Sequence, residues 1–122
     1  MPTIEPALAA IRRGEYDAAL TEFKVLETSP SLEADVRGHR GYLFLSLGRL
    51  EEARADYQRL LELNPNDKMA SAQLARTLIE LGETAAGLEL LAKFLQTEPM
   101  NDVVRSALAR AASISQPVEL PT

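Results

Sequence analysis

The side chains best suited to chemistry are few. The one histidine, His39, lies in the segment RGHRGY. An imidazole can ligate a metal or relay a proton. A metal site needs companion ligands, and the sequence has no cysteine, no second histidine and no HExxH spacing. His39 is therefore expected to be an exposed or hydrogen-bonded helical residue. A serine nucleophile would need a base, and His39 alone offers one; no GxSxG turn accompanies it. The glycine-rich phosphate loops GxGxxG and GxxxxGK[ST] are absent too. The carboxylate pair Glu51/Glu52 falls near the start of an expected helix, on its solvent face. Its role there is solvation and favourable helix-end electrostatics. These residues point to no enzyme, no cofactor and no metal site.

Composition narrows the class further. The chain has 122 residues, 18 acidic and 13 basic, for a net charge of −5. Lys and Arg form no cluster, so the electrostatic footprint of a nucleic-acid binder is missing. The acidity disfavours anionic membranes. No apolar run approaches the roughly 20 residues a membrane-spanning helix requires. Residues 1–13 lack the basic start and apolar stretch of a secretory signal. The absence of cysteine fits a reducing compartment. Together these give an expected cytoplasmic protein with neither a nucleic-acid partner nor membrane insertion.

The elements that position the remaining residues are set by a period. Gly14, Gly48 and Gly82 are spaced by 34. The same offset links Ala19, Ala53 and Gly87, then Phe23, Tyr57 and Leu91, then Leu26, Leu60 and Phe94. It also links the small residues Ala7, Gly41, Ala75 and Ala109, and joins Pro65 to Pro99. A register kept in several series marks a structural unit used three times and begun a fourth. Within residues 34–65, Val36, Arg40, Leu43, Phe44 and Leu47 lie at helical spacing, and Gly48 turns the chain. Leu50, Ala53, Tyr57, Leu60, Leu61 and Leu63 then form a second apolar stripe, with Glu51, Glu52, Arg54, Asp56, Arg59 and Glu62 expected mostly on the opposite, polar face. Pro65 ends that helix, and Asn66 or Asp67 can cap the next. Short connections predict antiparallel neighbours. The small residues allow close approach of paired helices, and the large ones fill the space between successive pairs. Gly38 and Gly41 form a GxxG on a helix, which is a packing device.

The stretch LGRLEEARADYQRLLELNP (47–65) resembles the tetratricopeptide repeat, and LARTLIELGETAAGLELLAKFLQTEP (74–99) follows it closely. The first repeat is weaker: its opening helix is short and Pro30 comes one residue early. The resemblance implies an all-α fold, a right-handed superhelical stack of antiparallel helix pairs. One domain over 3–114 would hold repeats at about 3–30, 34–65 and 68–99 and a capping helix at 101–114, some seven helices in all. The tail 115–122, SQPVELPT, is expected to be extended or disordered. Arg37 and Ser71 fall where the family often carries a large residue. Arg40 falls where an apolar one is usual, which predicts looser packing in the second repeat.

Family resemblance also places a groove along the first helices of successive repeats. Its expected lining is Ile4, Leu8 and Ile11, then Asp35, Gly38, His39, Tyr42, Leu45 and Ser46, then Met69, Ala72, Gln73, Arg76 and Ile79, then Val103, Ser106, Ala107 and Arg110. Leu8, Asp35, His39, Tyr42, Met69, Gln73, Arg76 and Arg110 are the candidate contact residues. Tyr42 would be the aromatic anchor, and Arg76 or Arg110 would hold a partner carboxylate. The implied function is an adaptor or scaffold that binds a protein or peptide, with an acidic residue as one feature of the ligand. Self-association into a structural module and a small chaperone-like role are the alternatives. The clamp by which relatives hold heat-shock chaperone tails is not among the matching positions, which carry Ile4, Leu8, Met69 and Gln73. Such tails are therefore not expected as ligands.

Overall fold

The computed structural model describes residues 2–95 together with 109 and 110. Regular structure among them is entirely helical: α1 (Glu5–Arg12), α2 (Tyr16–Leu26), α3 (Glu33–Ser46), α4 (Leu50–Leu63), α5 (Lys68–Glu80) and α6 (Thr84–Leu95). The expected closing helix at 101–114 lies outside the described residues except for 109 and 110, which are helical, and the tail 115–122 lies outside them altogether. The chain divides into two compact units, Met1–Pro65 and Asn66–Thr122. The first holds α1 to α4 and the second α5 and α6.

Each helix pair is closed by the same turn. Gly14, Gly48 and Gly82 have φ of 76°, 76° and 89°, the left-handed region that a side chain disfavours. The Gly14 N–H donates to the Ile11 carbonyl (2.9 Å), and the Glu15 N–H donates to that of Ala10 (2.9 Å). The second turn repeats this, with Gly48 donating to Leu45 (3.1 Å) and Arg49 to Phe44 (2.8 Å). The third has Gly82 donating to Ile79 (3.0 Å) and Glu83 to Leu78 (2.8 Å). This nested pair of bonds is the Schellman motif, which satisfies carbonyls that a helix end leaves open. The chain reverses, and α1 packs on α2, α3 on α4 and α5 on α6, with α2 also packing on α3.

Periodic small residues lie where the helices of a pair meet. Ala7, Ala19, Ala53 and Ala75 are fully buried. A methyl group at Gly41 would stand 3.1 Å from the Tyr57 ring. One at Gly87 would stand 2.6 Å from Ile79 Cγ1 and 2.8 Å from the Ala75 carbonyl oxygen, closer than atoms pack. Gly38 differs: its nearest neighbour, a Leu60 methyl, is 4.0 Å away, so it has room for a side chain. In the first unit Ala7, Ala10, Ala19, Phe23, Leu26, Val36 and Leu43 form the core, with Ile4, Leu8, Ile11, Leu20 and Leu32 against it. In the second, Asp67 caps α5, its carboxylate accepting from the Ala70 N–H at 2.9 Å.

Arg40 occupies its apolar register as half of a buried ion pair. It is buried, and its guanidinium grips Asp56 through Nε to Oδ2 (2.9 Å) and Nη2 to Oδ1 (2.8 Å). Asp56, assigned from its polarity to the solvent face of α4, is instead 2% exposed. Around this pair Arg40 also donates to Glu27 (2.7 Å), Arg37 to Asp56 (3.1 Å) and Glu33 (3.3 Å), and Arg59 to Glu33 (2.8 Å). Three cations meet three anions across α2, α3 and α4. The Arg40 fork is satisfied by carboxylates, which lets a charged residue occupy an apolar register.

Candidate functional site

In the first unit, α1 and α3 both pack on α2 and border a cleft. Leu8, Ile11 and Arg12 present one face of α1; His39, Tyr42, Leu43 and Ser46 present one face of α3, at i, i+3, i+4 and i+7. Tyr16, the first residue of α2, and Leu47, at the end of α3, complete the lining. Both sit beside a glycine turn, so the repeated reversal at Gly14 and Gly48 fixes where they stand. The cleft holds about 430 Å³, within the range of small binding pockets.

Its rim carries large apolar surface open to water. Tyr42 is 54% exposed, Tyr16 41% and Leu47 40%. The polar groups of the lining are Arg12, His39, the two tyrosines and Ser46, with no carboxylate among them. Ser46 Oγ donates to the Tyr42 carbonyl (2.9 Å), a bond within the helix. Arg12 Nη2 meets Glu5 Oε1 at 2.6 Å, two turns back on α1, with both side chains largely exposed. The surface can seat an apolar side chain between aromatic walls and offer cationic and donor groups beside it.

A second depression of about 410 Å³ lies among Leu20, Lys24, Glu27, Arg37, Arg40, Phe44, Arg49, Glu52, Ala55 and Asp56. Its charges largely answer one another. Arg49 holds Glu52 through two bonds (2.8 and 2.7 Å) and stacks over Phe44 at 4.8 Å. The hydrogen bond from Arg49 holds the Glu52 carboxyl below its ordinary range, and that from Arg59 does the same for Glu33. Burial would lower the Arg40 pKa, but hydrogen bonds to Asp56 and then Glu27 outweigh it, so the guanidinium stays charged. This network ties helices together and leaves little for a ligand.

The structure distributes the eight candidate contact residues unevenly. Leu8, His39 and Tyr42 share the cleft of the first unit. Asp35 is exposed on α3, one turn before His39, and does not line the cleft. In the second unit Met69 is 54% exposed and Arg76 is half-buried. Gln73 is buried, and its Oε1 has no hydrogen-bond partner among the described residues. Arg110 pairs with Glu80 through both Nε and Nη2. Four cleft residues were not among the groove positions read from the sequence. Leu43 and Leu47 belonged to the apolar stripe of their helix and were assigned to its core. Tyr16 and Arg12 were not singled out; the one signal for them was their nearness to the Gly14 turn.

Among the described residues, no helix is long and apolar enough to cross a membrane, and no group of three or more metal-ligating side chains could hold an ion. Two tetratricopeptide repeat family models match the sequence, one over residues 6–68 and the other over 44–111, each more than half of the chain. Repeats of this family are generally protein–protein interaction modules. With its 34-residue turns, paired helices and these two matches, the chain belongs to the tetratricopeptide repeat family.

Proposed function

We propose that the chain acts as an adaptor that binds a partner protein, and that the cleft between α1 and α3 seats an apolar side chain of that partner. The observation that carries this reading is the exposed Tyr42, which stands with Tyr16 and Leu47 around an apolar floor of Leu8, Ile11 and Leu43. Aromatic residues set around such a pocket are the usual anchors of protein interfaces. In the second unit, taken by itself, Met69 and Arg76 are the proposed contacts.

Affinity capture with the full chain, beside a Tyr42→Ala variant of matching helicity, tests the proposal. A partner held by the chain should be lost or weakened by about tenfold or more in the variant, as for a central aromatic anchor. Equal recovery by both would place binding on another surface.

A further inference from the structure

The cleft has a chemical bias that narrows its partner, an inference that rests on the binding role just proposed. The chain carries 18 acidic residues and a net charge of −5, yet among the described residues no acid lines the cleft. Instead the lining brings together the guanidinium of Arg12, the imidazole of His39 and the phenols of Tyr16 and Tyr42. All can donate hydrogen bonds, and the guanidinium is cationic. They border an apolar floor. Among the described residues, the carboxylate that engages Arg12 is Glu5, bound at 2.6 Å from two turns back along α1. That pair is largely exposed on both sides (62% and 66%), so it is weak and readily exchanged for another carboxylate.

The geometry points to a peptide segment in which an apolar residue is flanked by Asp or Glu: the apolar side chain enters the cleft, and the acid takes the place of Glu5 on Arg12, beside His39. In this arrangement Glu5 is a built-in competitor. It keeps Arg12 satisfied when the cleft is empty and lowers affinity for acidic ligands by the strength of one surface pair.

Three synthetic nine-residue peptides with a central Leu-Phe, flanked on both sides by Glu, Gln or Lys, test this by fluorescence anisotropy with the full chain. The Glu-flanked peptide should bind about tenfold more tightly than the Lys-flanked one, as expected where charges of opposite rather than like sign meet. Glu5→Gln should strengthen the Glu-flanked peptide by about twofold to fivefold, the worth of an exposed ion pair, and leave the Gln-flanked peptide unchanged. The double variant Arg12→Gln/His39→Gln should abolish the preference among peptides while leaving helicity intact. Binding of all three peptides with equal affinity would overturn the acidic preference and leave the apolar cleft as the seat. Binding of none would overturn both.

Discussion

Arg40 and Asp56 face each other across α3 and α4 as a bidentate ion pair, at 2.9 and 2.8 Å, with Asp56 almost wholly removed from water. Taking one partner away leaves a buried charge unanswered, which typically costs about 3–5 kcal/mol. Asp56→Ala is therefore expected to lower stability by roughly that amount, read from urea unfolding by circular dichroism. The double replacement Arg40→Met/Asp56→Leu should recover most of the loss, because well-packed apolar residues often replace a buried pair at little cost. A double variant no more stable than the single would show that the contacts of Arg40 with Glu27 matter as much as the pair itself.

Two helical glycines should respond with opposite signs. Gly87→Ala drives a methyl group into Ile79 and the Ala75 carbonyl, and overpacking of this kind costs about 1–3 kcal/mol. Gly38→Ala meets nothing closer than 4.0 Å, and its gain in helix propensity is worth about 0.5–1 kcal/mol. Thermal melts of the two variants should move in opposite directions from the parent chain.

Turn glycines form a third class. Gly48 has open space around it but a φ of 76°. Gly48→Ala should destabilise by about 1–2 kcal/mol through backbone strain. Gly48→Asn should cost less, since asparagine tolerates the left-handed region better. Equal melting temperatures for both variants would count against backbone conformation as the reason for glycine at this position.

Acid stability has a definite sign. The Glu33 carboxyl is held below its ordinary value of 4.5 by Arg59, and Glu52 is held down by Arg49. A carboxyl depressed in the folded state contributes stability that is present in full above its ordinary pKa and is lost as pH falls through the folded value. Stability should thus be flat above about pH 5 and decline below the ordinary carboxylate range. Glu33→Gln should lower the neutral plateau and make the acid decline shallower, measured by urea unfolding across pH 2–7. An unchanged acid slope would remove Glu33 from the explanation.

Much of the architecture was legible because it repeats. Each glycine turn needs a left-handed residue, so Gly14, Gly48 and Gly82 mark the reversals whatever surrounds them. Ala7, Gly41 and Ala75 mark the helix contacts, and Asp67 marks a helix start. What escaped was pairing through space. Arg40 and Asp56 were each read from polarity on their own helix. Yet Asp56 follows Ala53 by three and precedes Leu60 by four, which sets it on the buried face. Arg110 was read as a free fork for a ligand; its partner Glu80 lies 30 residues away and no helical spacing links them. Arg12, Tyr16, Leu43 and Leu47 became cleft residues only once α1, the start of α2 and α3 bordered one cleft, a relation no single helix reveals.

The glycine turns also bear on how the chain reaches this structure. Among the described residues, each packed helix meets only its neighbours in sequence. Every hairpin closes over a loop of a few residues, so little chain entropy is lost before contacts form. Such low contact order belongs to chains that fold in microseconds to milliseconds, and hairpins of a repeat array can begin independently. The charge cluster behaves differently. Glu27 follows the end of α2, Arg40 lies on α3 and Asp56 on α4, so their bonds close only after the three helices have aligned. In the first unit this makes the ion network a late event, one that slows unfolding more than it speeds folding.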